Sequence, residues 1–101
     1  MGQYLCIYSP PRDTFAEDAS EAERRVVGEH FAYLEGALGG GTLVLAGRTL
    51  DRPPMGIAVF EAEHEGAARA FVDADPAVRA GVFRAEVRPY RVALLARAGH
   101  E

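Results

Sequence analysis

A histidine set inside an apolar helical repeat is the first feature of this sequence with the makings of chemistry. Val27, Phe31, Leu34 and Leu38 recur at helical spacing and predict a buried stripe. At roughly 100° per residue, His30 falls about 60° from the axis of that stripe, at the margin of the buried face and toward the sheet edge. An imidazole so placed can give or take a proton, because the group titrates near neutrality. On the residues alone the plainer reading is the stronger one: a partly buried histidine bonded to a backbone carbonyl. Asp75 stands before Pro76, the pattern of an N-cap with proline at the first helical position. Arg48 ends an apolar strand and could hold a carboxylate or phenolate in bidentate fashion, or pair with Asp51 on the surface. Tyr8 and Ser9 end the first strand and could supply hydrogen bonds, although packing at a dimer face is the simpler role for Tyr8. Tyr33, one turn after His30, lines the same region or flanks it.

Other groups are weaker candidates. His64 sits between two glutamates and is expected to be solvated, and Asp73 should face solvent from a helix. Three distant histidines lack metal-ligand spacing, so no metal is expected. Gly39-Gly40-Gly41 follows a helix instead of preceding one, which excludes a phosphate loop. Cys6 alternates with tyrosines in a strand and reads as core. As the sole cysteine it can form no internal disulfide, which points to a reducing, cytoplasmic setting. All 11 basic residues are arginine, so a lysine Schiff base is excluded. The net charge of -4 argues against a nucleic-acid partner. No apolar run approaches the roughly 20 residues of a membrane span, and the N-terminus lacks the marks of a signal peptide.

These side chains must be carried by a small frame. The chain has 101 residues, 49% hydrophobic and 26% charged, which fits one globular domain. Gln3 to Tyr8 reads as a strand stopped by Pro10-Pro11, with a loop from Ser9 to Asp18. Ser20 and Glu23 have capping-box spacing and open a helix to about Leu38, ended by the three glycines. Thr42 to Arg48 and Gly56 to Glu61 are strands around a turn at Asp51-Arg52-Pro53-Pro54. Glu65 to Asp73 is a second helix with Ala68, Phe71 and Val72 inward, followed by a short turn closed by Gly81. Phe83 to Leu95 is the last strand, with Pro89 at a bulge or an edge, and the chain frays from about Arg97.

Strand, helix, strand, strand, helix, strand is the split β-α-β order, a ferredoxin-like α+β sandwich with both helices on one face. In the first strand Tyr4, Cys6 and Tyr8 alternate with Leu5 and Ile7; in the second, Leu43 and Leu45 alternate with Val44 and Ala46. Both sheet faces therefore read as apolar, and a face-to-face homodimer, a dimeric α+β barrel, is the simplest cover for the second.

Four stretches give this frame a family likeness: Gly28-Glu29-His30-Phe31-Ala32-Tyr33-Leu34, Leu45-Ala46-Gly47-Arg48, Ala74-Asp75-Pro76-Ala77-Val78-Arg79-Ala80-Gly81-Val82-Phe83 and Val87-Arg88-Pro89-Tyr90. Over roughly residues 3 to 95 the chain resembles YCII-related proteins. The resemblance implies a ferredoxin-like dimer with a cleft and a catalytic His–Asp pair, carried here by His30 and Asp75. Arg48 stands where relatives often have a small residue or proline. The implied activity is proton transfer on a small, anionic or aromatic metabolite, lyase-like or isomerase-like, with no cofactor. Loss of hydrogen halide from a chlorinated hydroxyaromatic is one activity of the family. A non-catalytic ligand-binding module and a cofactor-free quinol oxygenase are the alternatives.

Overall fold

The computed structural model describes residues 1–96; the frayed tail expected from Arg97, with His100, lies outside the described residues. Eight elements follow one another: β1 (Gly2–Ser9), α1 (Phe15–Asp18), α2 (Glu21–Gly39), β2 (Leu43–Arg48), β3 (Gly56–Ala62), α3 (Glu65–Asp73), α4 (Pro76–Arg79) and β4 (Arg84–Tyr90). The strands form one antiparallel sheet in the order β2-β3-β1-β4. Strands β1 and β2 thus run parallel with β3 between them, which is the ferredoxin-like α+β fold. The domain is 21 Å across its thinnest direction, the depth of one sheet and one helix layer.

Local signals explain where the elements begin and end. Ser20 Oγ accepts the Glu23 N–H at 3.0 Å, and the Glu23 carboxylate accepts the Ser20 N–H at 2.8 Å, a complete capping box for α2. Gly41 and Gly81 take positive φ, 88° and 76°, as the chain leaves α2 and α4. Pro89 lies on β4, an edge strand, where its missing N–H costs no ladder bond inside the sheet. The last strand is shorter than the sequence pattern suggests and ends at Tyr90.

The core lies between the helices and one sheet face. Tyr4, Cys6 and Tyr8 of β1 and Ala58 and Phe60 of β3 meet Leu34, Ala68 and Val72 there. Burial pushes the Cys6 thiol up to about 11, so it stays protonated and behaves as core. The expected stripe on α2 is only half buried: Leu34 is covered, whereas Phe31 and Leu38 are exposed. The packed stripe runs through His30 and Leu34, and the helix rotates Phe31 and Leu38 toward an open cleft.

The second sheet face is apolar over part of its width. Leu5 and Ile7 of β1 lie beside Val59 and Ile57 of β3, with Leu45 of β2 next in register. Along β4 the same face carries Arg84, Glu86 and Arg88. A register shift between Leu43 and Leu45 breaks the simple alternation in β2, so these two leucines do not share a face.

Candidate active site

The site is built around a carboxylate with no exposure to solvent. Asp75 ends the segment after α3 and caps α4: its Oδ1 accepts the Ala77 N–H at 2.9 Å, with Pro76 at the first helical position. Its other oxygen, Oδ2, accepts the Tyr8 hydroxyl at 3.2 Å and faces His30 Nδ1 at 2.7 Å. Asp75 therefore caps a helix and orients a histidine 45 positions away in the chain. Among the described residues no buried side-chain polar atom lacks a partner.

The donors settle the histidine's tautomer. Burial, then the neighbouring Cys6 and Asp75, push the Tyr8 phenol well above its ordinary pKa, so Tyr8 donates. An ionised carboxylate can only accept, so in the neutral ring the contact with Asp75 puts the proton on Nδ1 and leaves the lone pair on Nε2. The imidazole is 14% exposed while Asp75 is at zero, so the histidine alone of the pair reaches solvent. Its ring stands edge-on to two others, Tyr8 at 5.0 Å and Phe83 at 5.2 Å. These contacts fix the plane in which Nε2 points.

His30 opens onto a cleft of about 790 Å³ between α2 and the edge of the sheet formed by β2. Tyr8 and Arg48 both line it. Register puts them level: Arg48 pairs with Gly56, and Gly56 pairs with Tyr8. Two strand spacings separate their backbones, roughly 10 Å. Gly56 between them has no side chain, and a Cβ there would meet Tyr8 at 3.3 Å. The floor between Arg48 and Tyr8 is left open for that reason. Arg48 makes a long bond of 3.4 Å to the Thr49 carbonyl, and the surface pair with Asp51 does not form.

The other expected residues are distributed differently. Tyr8 faces the helices instead of a dimer face, because the alternation of β1 puts it with Tyr4 and Cys6. Ser9, one residue on, lines a separate small hollow with Asp13, Thr49 and Arg84, so it is not brought to His30. Tyr33 flanks the site: its hydroxyl donates to the Phe71 carbonyl at 2.6 Å and its ring packs on Phe71. Burial raises its phenol pKa. Asp73 is exposed and pairs with Arg69 at 3.4 Å. His64 is exposed, yet it is not merely solvated: its Nδ1 accepts the Ala67 N–H at 3.1 Å and caps α3. Among the described residues no group of three or more His, Cys, Asp or Glu is placed to hold a metal, and no helix is long and apolar enough to cross a membrane.

One wall comes from the segment Ser9 to Asp18, which the sequence suggests is a loop long enough to be functional and which contains the short helix α1. Phe15 of α1 is buried against Phe83 at 5.9 Å. Arg12 holds it there, with its two terminal guanidinium nitrogens on Glu23 at 2.8 and 3.0 Å, Nε on Asp18 at 2.8 Å, and its cation 5.5 Å from the Phe15 ring. Arg52, between β2 and β3, reaches Glu17 of α1 at 2.9 Å. A phenylalanine alone among acids in a loop is the sequence signal for such a wall, since a large apolar ring must pack somewhere.

A ferredoxin-like domain with a buried aspartate holding a cleft histidine is the class that fold and geometry define. Residues 3–91 match the sequence model of the YCII-related domain. The chain belongs to that family. Among solved structures it is similar to TftG, the 5-chloro-2-hydroxyhydroquinone dehydrochlorinase of Burkholderia phenoliruptrix AC1100, in complex with 2,5-dihydroxybenzoquinone. That match has 23% identity and a TM-score of 0.65, and covers 87% of this chain and 93% of the other. It is also similar to SnoaB, a cofactor-independent oxygenase from Streptomyces nogalater. There the identity is 16% and the TM-score 0.47, with 92% of this chain and 93% of the other covered. No curated protein sequence matches the chain. At 23% identity the likeness to TftG is one of fold.

Proposed function

We propose that this protein is a small-molecule enzyme in which His30 is the proton-transfer residue and Asp75 its orienting partner. The observation that carries the reading is the 2.7 Å contact from His30 Nδ1 to a carboxylate of zero exposure, at the wall of an open cleft. With Nδ1 committed to Asp75, Nε2 is free to take a proton from a bound ligand. Asp75 then stabilises the imidazolium that forms. Arg48 holds an anionic oxygen of the ligand, and Tyr8 keeps the Asp75 carboxylate in place from beneath. The reaction class is elimination or isomerisation on a hydroxylated aromatic or similar acidic metabolite. In a dehydrochlorination the base removes a proton and chloride leaves with the electron pair of its bond to carbon. The electrons stay balanced within the substrate, and no cofactor takes part.

The working form we propose is a cytoplasmic homodimer, with the apolar half of the second sheet face covered by a second copy. The partly exposed row Leu5, Ile7 and Ile57 supports it, since a second copy would complete its burial. Sedimentation at micromolar concentration should then report about twice 10.9 kDa.

The function is tested with 2,5-dihydroxybenzoquinone as binding probe and chlorinated hydroxyhydroquinones as substrates. The expected result is chloride release by the parent, loss of release in His30→Ala, and retained binding of the probe by that variant. Release at the parental rate in His30→Ala removes His30 from the chemistry.

A further inference from the structure

The cleft is longer than a single-ring substrate needs, and its two ends differ in kind. Arg48 and Tyr8 sit at one end, as the register of β1, β3 and β2 requires, and His30 joins them there through its ring contact with Tyr8. At the other end Leu43 lies level with Tyr4, through Phe60, and faces Leu34 and Leu38 across the gap. From His30 to Leu38 the helix rises about 12 Å. From Tyr8 back to Tyr4 the strand covers about the same length. The cleft therefore runs along α2 from a cationic, proton-accepting end to an aliphatic one. Leu38, 57% exposed, and Phe31, 62% exposed, stand along it without cover. Glu35, one turn past His30, also lines this stretch and repels an anion from it.

We infer that the natural ligand carries an apolar body about 10 Å long behind its acidic head. The head lies at His30 and Arg48, and the body, an alkyl chain or a fused ring system, lies along Leu34, Leu38 and Leu43. This rests on His30 being the reaction centre proposed above. It narrows the substrate from any hydroxylated aromatic to a two-part amphiphile. Three features agree on it: the 790 Å³ volume, the separation of Arg48 from the leucines by register, and Leu38, uncovered at the far end beside the buried Leu34 and Leu43. Glu35 sets the direction, because an anionic head is favoured beside Arg48 and disfavoured beside Glu35.

The test is a series of n-alkyl gallates, methyl to octyl, titrated into the protein by calorimetry, with His30 ring resonances followed by NMR. All members should move the His30 signals. Affinity should rise with each methylene by up to about fourfold, the gain expected for burying a CH₂. Leu38→Ser, a change at an exposed position, should flatten the chain-length gain and leave methyl gallate binding as it was. Arg48→Gln should weaken every member by a similar factor. An affinity that is flat from methyl to octyl overturns the inference. So does a full chain-length gain with His30 signals unmoved, since the head then lies elsewhere. If Leu38→Ser alters sedimentation and not the chain-length gain, the aliphatic end is an interface between copies and the inference falls. The enzyme reading fails separately: the expected binding pattern without proton transfer on any substrate keeps the amphiphile and removes the enzyme. Turnover of single-ring substrates with a flat series does the reverse.

Discussion

Of the three side chains that cap a helix one residue before it starts, His64 and Asp75 do so in opposite surroundings. His64 caps α3 from the surface with a single bond to the Ala67 N–H. Asp75 caps α4 from a position without solvent exposure, and one of its oxygens has two further partners, Tyr8 and His30. Capping α4, a helix of four residues, does not require a fully buried carboxylate. A surface serine caps the much longer α2 through an ordinary capping box. The surplus at Asp75 is what separates a structural cap from a site: the cap makes the carboxylate rigid, and the rigidity is passed to His30.

The contrast predicts a graded series of losses. Asp75→Ala should cost most, at least about 3 kcal/mol, because Tyr8, His30 and the Ala77 N–H all lose a buried acceptor. Chemical denaturation of parent and variant measures it, and a loss under about 1 kcal/mol would make Asp75 an ordinary cap. Tyr8→Phe should follow at about 1–2 kcal/mol, the usual range for one buried hydrogen bond whose acceptor keeps other donors. It should also loosen His30, visible as broadened ring signals. Ser20→Ala should cost about 1 kcal/mol and His64→Ala about 0.5 kcal/mol, both without effect on ligand binding. The smallest effect is confined to acid. Arg12, and next the Ser20 N–H, hold the Glu23 carboxyl down to about 2. A lowered carboxyl pKa adds stability above its unfolded value of about 4.5, and that stability fades as pH falls toward 2. Glu23→Gln should remove this part of the acid transition and free Phe15 from the cleft wall, as followed by circular dichroism from pH 6 to 2.

Much of the frame was legible because its signals are local. Ser20 with Glu23, Asp75 with Pro76, the three glycines after Leu38 and the glycine at 81 each act within a few residues, so spacing alone reveals them. The His30–Asp75 pair was legible through the family likeness and not through spacing, since nothing local links positions so far apart. What could not be read depends on contacts at a distance. The four-residue helix α1 exists because Arg12 ties it to Glu23 and Asp18, not because of its own propensity. The faces of β2 depend on a register shift that alternation cannot foresee. Tyr8 lies on the helix-facing side of the sheet and not on the dimer face, in step with Cys6 and Tyr4. The burial of Cys6 as core was the clue that tyrosines in step with it would be core too. Phe31 and Leu38 fit the helical repeat as buried residues, but a helix beside a cleft leaves part of its apolar stripe open.

The arrangement of Tyr8, Asp75 and His30 makes one statement about a proton that spectroscopy can read without any substrate. In the parent, two-bond nitrogen–proton correlation spectra of the His30 ring should show the proton on Nδ1 and the lone pair on Nε2, the reverse of the tautomer favoured by free histidine. In Asp75→Asn the amide keeps the bond to the Ala77 N–H but offers a donor toward the ring. The proton should then move to Nε2, while thermal stability falls by no more than about 2 kcal/mol. A parent spectrum with the proton on Nε2, or spectra that are the same in both proteins, would contradict the account and leave Asp75 as the cap of α4 alone.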